Sequence, residues 1–261
     1  MKETDERKRA LLICGFGTGD AEVMEQTYGR LLEEARKAYP RMPVKLALTS
    51  PKVIERLYAK SAVRLPDVQS AVKEILDDTA SGGIEEIRIL AVQVVGGSEY
   101  EKLKEAADTY GRRAGISLDS PLLAGPKIGR VADILVSETV SCKEEAVVYV
   151  GHGTHGRDPL GPAAYRKLEE MIRDRGNGNI FIADLQTGIG SIAGTLSKNA
   201  FRRVRLCSLM MVSGHHWLVD VAGDKNDSLK SVLIEGGYEV TCDRTCLLER
   251  KEVRNLLIEP E

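Results

Sequence analysis

The four histidines of this 261-residue chain fall into two close pairs. His152 and His155 follow the apolar run VVYVG, and His215 and His216 follow LMMVSG. An apolar run that ends in glycine is typical of a buried strand, and in parallel α/β sheets ligands bind at the carboxyl ends of the strands. Because histidine is the commonest metal ligand and titrates near neutral pH, the two pairs predict a metal-handling or proton-transfer site.

The surroundings of the four histidines differ. His152 lies between two glycines at a predicted strand end, which favours a function for it. His155 has glycine and charged neighbours, which favour a solvated loop position. His215 and His216 are adjacent, so in an extended backbone their side chains point to opposite sides and only one of them can face a given site.

Two carboxylates stand out from the many on predicted helix faces. Glu99 follows the run VVGGS and opens a predicted helix, where the helix dipole alone would also favour an acidic residue. Asp184 ends the apolar run NIFIADL, where an unpaired carboxylate would be costly to bury. We therefore expect Asp184 to have a partner, a cation or a metal ion.

Apolar runs alternate with amphipathic patterns along the whole chain. Near-continuous apolar runs separated by helices are typical of parallel sheets covered on both faces. The predicted strands are 10–16, 43–49, 86–95, 146–151, 179–185 and 204–212, and the predicted helices are 22–39, 67–80, 99–113, 162–176 and 227–237. The sequence thus predicts an α/β fold with parallel sheets flanked by helices.

The two halves of the sequence resemble each other weakly. LLICGFGTG matches VVYVGHGTH, which aligns Phe16 with His152 inside a shared G-x-G-T turn. VVGGSEY matches MVSGHHW, which aligns Glu99 with His216 and favours His216 over its neighbour as the functional histidine. Two similar lobes that face each other across a central cleft would bring Glu99, His152 and His216 together.

This repeat and the Pro and Gly residues of 121–130 predict a domain boundary there. We expect residues 1–125 to form an N-terminal lobe and residues 126–261 a C-terminal lobe. The last segment, from about residue 249, is predicted to be a helix that could pack back on the first lobe.

Composition excludes several classes of protein. The net charge of −2 lacks the basic excess typical of nucleic-acid binding. The N-terminus fits no signal peptide, and no apolar run approaches the ~20 residues that a membrane span needs. Five cysteines without a C-x-x-C pair favour a reducing compartment over a disulfide framework, so we expect a cytoplasmic protein.

Common catalytic motifs are also missing. The segment GFGTGD lacks the G-x-G-x-x-G dinucleotide pattern, and the sequence has neither G-x-x-x-x-G-K-[ST] nor G-x-S-x-G. These absences disfavour nicotinamide binding, P-loop phosphate chemistry and serine-nucleophile hydrolysis.

Five segments occur in a fixed order along the chain. They are F-G-T at 16–18, T-S at 49–50, G-x-E-Y-E-K at 97–102, G-H-G at 151–153 and MMVSGHHWLVDVAGDKNDSLKS at 210–231. In these segments the chain resembles the class II chelatases, and within them the anaerobic-type sirohydrochlorin cobaltochelatase (CbiK) family. The resemblance extends over roughly residues 10–240.

The resemblance implies a bilobal fold that holds a tetrapyrrole in its cleft and inserts a metal ion. The family's metal-binding and proton-accepting histidine falls on His152, its second metal histidine on His216, and its acidic E-Y-E-K residue on Glu99. The family's glutamate ligand has no identical counterpart here. An ungapped count places Asp184 at that position, and a small gap places Gln186 there.

The function implied is insertion of Co²⁺ into sirohydrochlorin or a close relative, in anaerobic cobalamin biosynthesis. Imidazole and carboxylate ligands also accept Fe²⁺ or Ni²⁺, so a sirohydrochlorin ferrochelatase is one alternative, and a non-catalytic tetrapyrrole or metal carrier is another. Co²⁺ is then a substrate, and we expect no permanently bound cofactor. The partners are the tetrapyrrole and the metal ion, with the substrate's carboxylates expected near Lys127, Arg130 or Arg157; we expect no nucleic acid or membrane partner.

Overall fold

The computed structural model describes residues 8–78, 83–139, 144–154, 160–186, 189–197 and 201–260. In the first half of the chain, strands alternate with helices in the order β1 (Arg9–Gly15), α1 (Ala21–Met24), α2 (Arg30–Ala38), β2 (Val44–Leu48), α3 (Pro51–Ser61), α4 (Val68–Asp77), β3 (Glu86–Val92), α5 (Ser98–Tyr110) and β4 (Gly115–Leu118). A π-helical turn, Glu25–Gly29, joins α1 to α2.

The second half repeats this alternation. Its elements are α6 (Ile128–Glu138), β5 (Glu145–Gly151), α7 (Leu160–Asp174), β6 (Ile180–Asp184), α8 (Ile189–Leu196), β7 (Arg203–Ser208), α9 (Leu229–Glu235), β8 (Glu239–Asp243) and α10 (Lys251–Ile258). A π-helical turn, Trp217–Val221, follows β7, and a short 3-10 helix, Leu247–Glu249, precedes α10. None of the described helices is long and apolar enough to cross a membrane.

The described strands form two four-stranded parallel sheets of the same topology. The orders are β2-β1-β3-β4 and β6-β5-β7-β8, so β1 and β5 each lie between two later strands. Helical crossovers connect parallel strands and cover the sheet faces with their apolar sides. The predicted α/β fold with two parallel sheets flanked by helices is confirmed.

Register decides which residues meet at the carboxyl ends of the strands. In the second sheet, Gly151 of β5 lies opposite Asp184 of β6, and Val150 lies opposite Ser208 of β7. The segments that follow these three strands, which carry His152, Gln186 and His216, therefore start from one edge of the sheet.

The predicted strands all occur, but two edge strands were missed. β4 and β8 are short and half-exposed, with glycine or polar residues at alternate positions, so neither has the apolar run of a buried strand. The predicted strands 86–95 and 204–212 also run past their real ends, because apolar residues continue beyond each strand. Helices α3, α6 and α8 were missed as well, although Ser50 caps α3 and Pro51 begins it.

The described chain divides into two compact units. Residues up to Gly125 and from Arg254 onward form the first unit, and Pro126–Val253 form the second. The predicted lobes were 1–125 and 126–261, with the last segment expected to pack back on the first lobe, and in the structure the chain from Arg254 groups with the first unit. In each unit one core packs helices on a sheet: Leu12 and Ile89 lie in the first core, and Val148 and Trp217 in the second.

Arg88 of β3 holds the end of α10 on the first unit. Its Nε lies 2.9 Å from Oδ1 of Asp119, and both side chains are largely buried. The same guanidinium donates to the carbonyl oxygens of Ile258 and Glu259, each at 2.8 Å. The last carbonyls of a helix lack partners within the helix, so a buried arginine here satisfies them and favours the negative end of the helix dipole.

We expect Arg88→Ala to lower the midpoint of urea denaturation strongly. The change leaves the Asp119 carboxylate and the α10 carbonyls buried without their donor, which costs about 3 to 5 kcal/mol for a broken buried pair. Circular dichroism during urea titration measures the loss. Lys37→Ala is the control, because Lys37 and Glu33 form an exposed pair on α2 whose loss should leave the midpoint unchanged. Equal midpoints for the two variants would contradict the role of Arg88.

Candidate metal centre

His152 and His216 lie side by side in the second unit. Their ring centroids are 4.5 Å apart, and the ring planes meet at 73°. His152 directly follows β5, and His216 lies in the helical segment that follows β7, so the pairing of β5 with β7 brings the two together. The structure thus places two of the three predicted metal ligands in contact.

The turn that carries His152 has a shape that only glycine permits. Gly153 has a φ of 83°, in the left-handed region that side chains disfavour. A Cβ on Gly153 would lie 2.9 Å from Oδ1 of Asp184 and 2.8 Å from Cγ of Gln186. The backbone after His152 therefore packs directly on the end of β6.

The two candidates for the third ligand both contact this turn. The Oε1 atom of Gln186 accepts the backbone N–H of Thr154 at 3.0 Å, so the amide oxygen of Gln186 is engaged in holding the turn. The Oδ1 atom of Asp184 accepts the N–H of Gln186 at 2.8 Å. Asp184 thus has a partner, as expected of a half-buried carboxylate, and its role as a metal ligand stays a prediction.

Asp220 orients His216. Its Oδ2 atom lies 2.7 Å from Nδ1 of His216, and both side chains are about half-exposed. When Nδ1 carries the proton of the neutral imidazole, it donates to this carboxylate and leaves the lone pair of Nε2 for a metal ion. The carboxylate thereby selects the tautomer that can bind metal through Nε2.

The backbone around His215 and His216 is helical, which corrects the expectation of an extended segment. The N–H of Leu218 donates to the carbonyl of Gly214, and that of Ala222 to the carbonyl of Trp217, so the segment starts as an α-turn and widens to a π-turn. The exposed His215 ring lies 5.9 Å from the His216 ring, centroid to centroid. The predicted loop position of His155 lies outside the described residues.

Glu99 occupies the first turn of α5 in the first unit. Its two carboxylate oxygens lie 2.9 and 3.0 Å from Nζ of Lys102, and this ammonium also donates to the carbonyl oxygen of Thr49 at 2.8 Å. Lys102 therefore links the start of α5 to the end of β2. The predicted meeting of Glu99 with the histidines, and with it the catalytic role of Glu99, stays a prediction.

Among the described residues, no group of three or more His, Cys, Asp or Glu side chains is arranged to hold a metal ion. The described cysteines Cys14, Cys207 and Cys246 are buried, and Cys242 is exposed on the edge strand β8. Burial raises the pKa of the Cys207 and Cys246 thiols to about 12, which keeps them protonated near neutral pH. The histidine pair is thus the part of the predicted site that the structure assembles.

The predicted basic residues differ in exposure. Lys127 is buried at the N-cap of α6, and Arg130 is exposed on the same helix. Arg157 lies outside the described residues. A role for these side chains near the substrate stays a prediction.

Sequence reasoning did not assign a role to Asp220 or Tyr165, and it did not foresee the structural role of Gln186. Asp220 lies four residues after His216, the helical spacing that would have suggested the pair once the segment was known to be helical. Gln186 was considered only as a ligand, and its contact with Thr154 had no signal in the sequence. Tyr165, which packs beneath Gly151, is an ordinary apolar position in a helical pattern.

Comparisons with known proteins identify the family of the chain. The family model "Cobalt chelatase (CbiK)" matches residues 9–260. Sirohydrochlorin cobaltochelatase CbiKC of Nitratidesulfovibrio vulgaris is 27% identical over 238 residues, which are 88% of this chain and 81% of that protein. Sirohydrochlorin cobaltochelatase of Salmonella typhimurium is 24% identical over 255 residues, which are 96% of this chain and 94% of that protein.

A solved structure shares the fold. SirB from Bacillus subtilis with Fe³⁺ superposes with a TM-score of 0.66 at 13% sequence identity, and the match covers 96% of this chain and 93% of that one. At this identity the likeness concerns the fold.

We expect Gly153→Ala to destabilise the second unit more than alanine at two other glycines. Gly176 has the same φ of 83° with nothing within 4 Å of an added Cβ, so Gly176→Ala measures the backbone strain alone, roughly 1 to 2 kcal/mol. Gly153→Ala adds a clash with the end of β6. Gly178→Ala introduces neither strain nor clash.

Thermal denaturation of the three variants should rank their midpoints with Gly178→Ala highest and Gly153→Ala lowest. If the thermal midpoints of Gly153→Ala and Gly176→Ala fall by the same amount, the packing of the His152 turn on β6 contributes nothing to stability.

Proposed function

The chain belongs to the cobalt chelatase (CbiK) family, and from this membership we propose that it inserts Co²⁺ into sirohydrochlorin or a close relative in anaerobic cobalamin biosynthesis. The coarser statement, a metal chelatase that acts on a tetrapyrrole, follows from the family itself. The observation that carries the proposal at residue level is the contact between the His152 and His216 rings.

The chemistry of insertion calls for ligands that bind a divalent ion and then release it. Imidazole and carboxylate groups are borderline ligands for cobalt, iron, nickel and zinc, and thiolates hold such soft or borderline ions more tightly. In the second unit the histidine pair supplies imidazole, and Asp220 orients one of the rings. The high pKa of the buried thiols removes them as competing ligands near neutral pH.

The site must also accept protons from the tetrapyrrole. A free tetrapyrrole carries two pyrrole N–H groups, and a divalent ion replaces both protons, so each insertion releases two protons. We assign the first proton to the His152 imidazole, because a neutral histidine is both a ligand and a general base near neutral pH. His152 then passes this proton to water before the next turnover, and we assign the second pyrrole proton to solvent water directly.

We also propose roles for the two carboxylates, Asp184 and Glu99. Asp184 is proposed as the carboxylate ligand, since its half-buried carboxylate lies beside the His152 turn. Glu99 is proposed as a catalytic carboxylate, and its pairing with Lys102 orients it at the start of α5. The four described free cysteines support our proposal of a cytoplasmic enzyme.

A carrier without turnover is the competing function. A family ligand position that falls on Gln186 would offer the metal a neutral amide oxygen, already hydrogen-bonded to Thr154, in place of the family's carboxylate. Such a site would bind a metal ion or tetrapyrrole stoichiometrically and give no rate enhancement. Insertion of iron in place of cobalt is the alternative within the chelatases.

We expect wild-type protein to accelerate metal insertion and His152→Ala to lose about 10² to 10⁴ of the rate, the range for a general base. The measurement is anaerobic absorbance with sirohydrochlorin and Co²⁺, Fe²⁺ or Ni²⁺ in parallel. His216→Ala should lose comparable activity because it removes the second ring of the pair. His215→Ala is the matched control, since this exposed neighbour is farther from the pair and should retain activity.

Each result of this assay decides between the functions. The three insertion rates rank Co²⁺, Fe²⁺ and Ni²⁺ as substrates of the purified protein. Macrocycle binding without acceleration over the metal-only blank would overturn the chelatase proposal and favour the carrier. Loss of activity in His215→Ala equal to that in His216→Ala would contradict the assignment of the pair.

Asp220→Asn should weaken Co²⁺ binding to the protein by about 10- to 100-fold, the usual effect of removing the partner that orients a histidine ligand. The asparagine leaves the volume nearly unchanged but removes the charge that favours a proton on Nδ1 of His216. Isothermal titration with Co²⁺ measures the affinity. Asp224→Asn is the control, because Asp224 pairs with Lys230 on the exposed surface. An equal fall in both variants would point to a general loss of negative charge.

A further inference from the structure

The two G-x-G turns of the repeat each rest on a buried tyrosine. A Cβ on Gly15 would lie 2.9 Å from the ring of Tyr28, and one on Gly151 would lie 2.6 Å from the hydroxyl of Tyr165. Tyr28 is 1% exposed and Tyr165 is 5% exposed. Each first glycine of the motif is thus required because a phenol ring occupies the place of its side chain.

The hydroxyl of Tyr28 also lies near the second glycine of its turn, 3.3 Å from the N–H of Gly17. Gly17 and Gly153 both have positive φ, at 79° and 83°. A tyrosine beneath the first glycine and a left-handed second glycine therefore recur in both units.

The residue between the two glycines differs in the two units. In the first unit it is Phe16, whose side chain is 51% exposed. In the second it is His152, whose ring packs against His216. The support beneath the turn is conserved between the two units, whereas the chemistry presented on it is not.

We propose that Tyr165 is a positioning residue for His152, acting through the backbone of the G-H-G turn. The proposal rests on the proposed function, because it is His152 that would bind metal and accept the proton. The ring and hydroxyl of Tyr165 pack directly beneath Gly151, the residue that precedes His152, so they fix the backbone from which the His152 turn starts. Together with the hydrogen bond from Thr154 to Gln186, this sets the direction in which the His152 side chain leaves the backbone.

Tyr28 in the first unit provides a control that separates an effect on the position of His152 from a general loss of stability. Tyr165→Phe and Tyr28→Phe each remove one buried hydroxyl that packs beneath the first glycine of a G-x-G turn. We expect comparable falls in thermal midpoint for the two variants. They differ in the residue that the loosened turn carries.

The readout is the histidine pair itself. In protein labelled at histidine, NMR should show the contact between the His152 and His216 rings weakened or lost in Tyr165→Phe and retained in Tyr28→Phe. In the insertion assay, Tyr165→Phe should lower kcat about 10- to 100-fold with KM nearly unchanged, since small displacements of a reacting group have effects of this size. Tyr28→Phe should keep kcat within about twofold, because the turn it loosens carries no histidine.

The outcomes distinguish this proposal from the proposed function. If wild-type protein inserts no metal but Tyr165→Phe alone disturbs the ring contact, the function fails and the positioning role stands. If wild-type protein is active and both variants keep the ring contact and kcat, or both lose them equally, the positioning role is overturned and the function stands.

Discussion

The shape of the G-H-G turn after β5 is the constraint on which the site depends. Gly153 must have positive φ, and the space beside it is filled by the side chains that end β6. No other residue at that position could let the backbone approach Asp184 and Gln186 so closely. β5 lies between β6 and β7. The end of β6 packs on the turn, and the segment after β7 carries the second histidine, His216.

The repeat explains how such a site arises from a common scaffold. Both sheets have the same order, and both central strands end in a glycine that covers a tyrosine ring. A turn with this support presents its middle residue in a defined direction whatever its side chain is. Phe16 and His152 occupy this position in the two units, so a single change of residue type at the same position separates an apolar surface group from an imidazole that can bind a metal ion or accept a proton.

Polar groups in each unit are placed where they restrain the ends of elements. Arg88 joins β3 to the last carbonyls of α10, Lys102 joins α5 to the end of β2, and Asp220 holds the ring of His216. Each contact satisfies groups that would otherwise lack partners, which is the condition for keeping charged residues partly buried.

The residue types and the local hydrophobic patterns determined the fold class, most of the strands and the candidate histidines. Apolar runs and amphipathic patterns were sufficient for the α/β class and six of the eight described strands. The aligned G-x-G-T turns pointed to His152, and the aligned segments VVGGSEY and MVSGHHW pointed to His216. The edge strands β4 and β8 were not predicted, because alternating exposure leaves a strand without an apolar run. Only the tertiary structure decided that β7 lies beside β5, that the segment after His215 is helical, and that Gln186 holds the turn. These features depend on strand order and on contacts between residues far apart in sequence, for which a local pattern carries no signal.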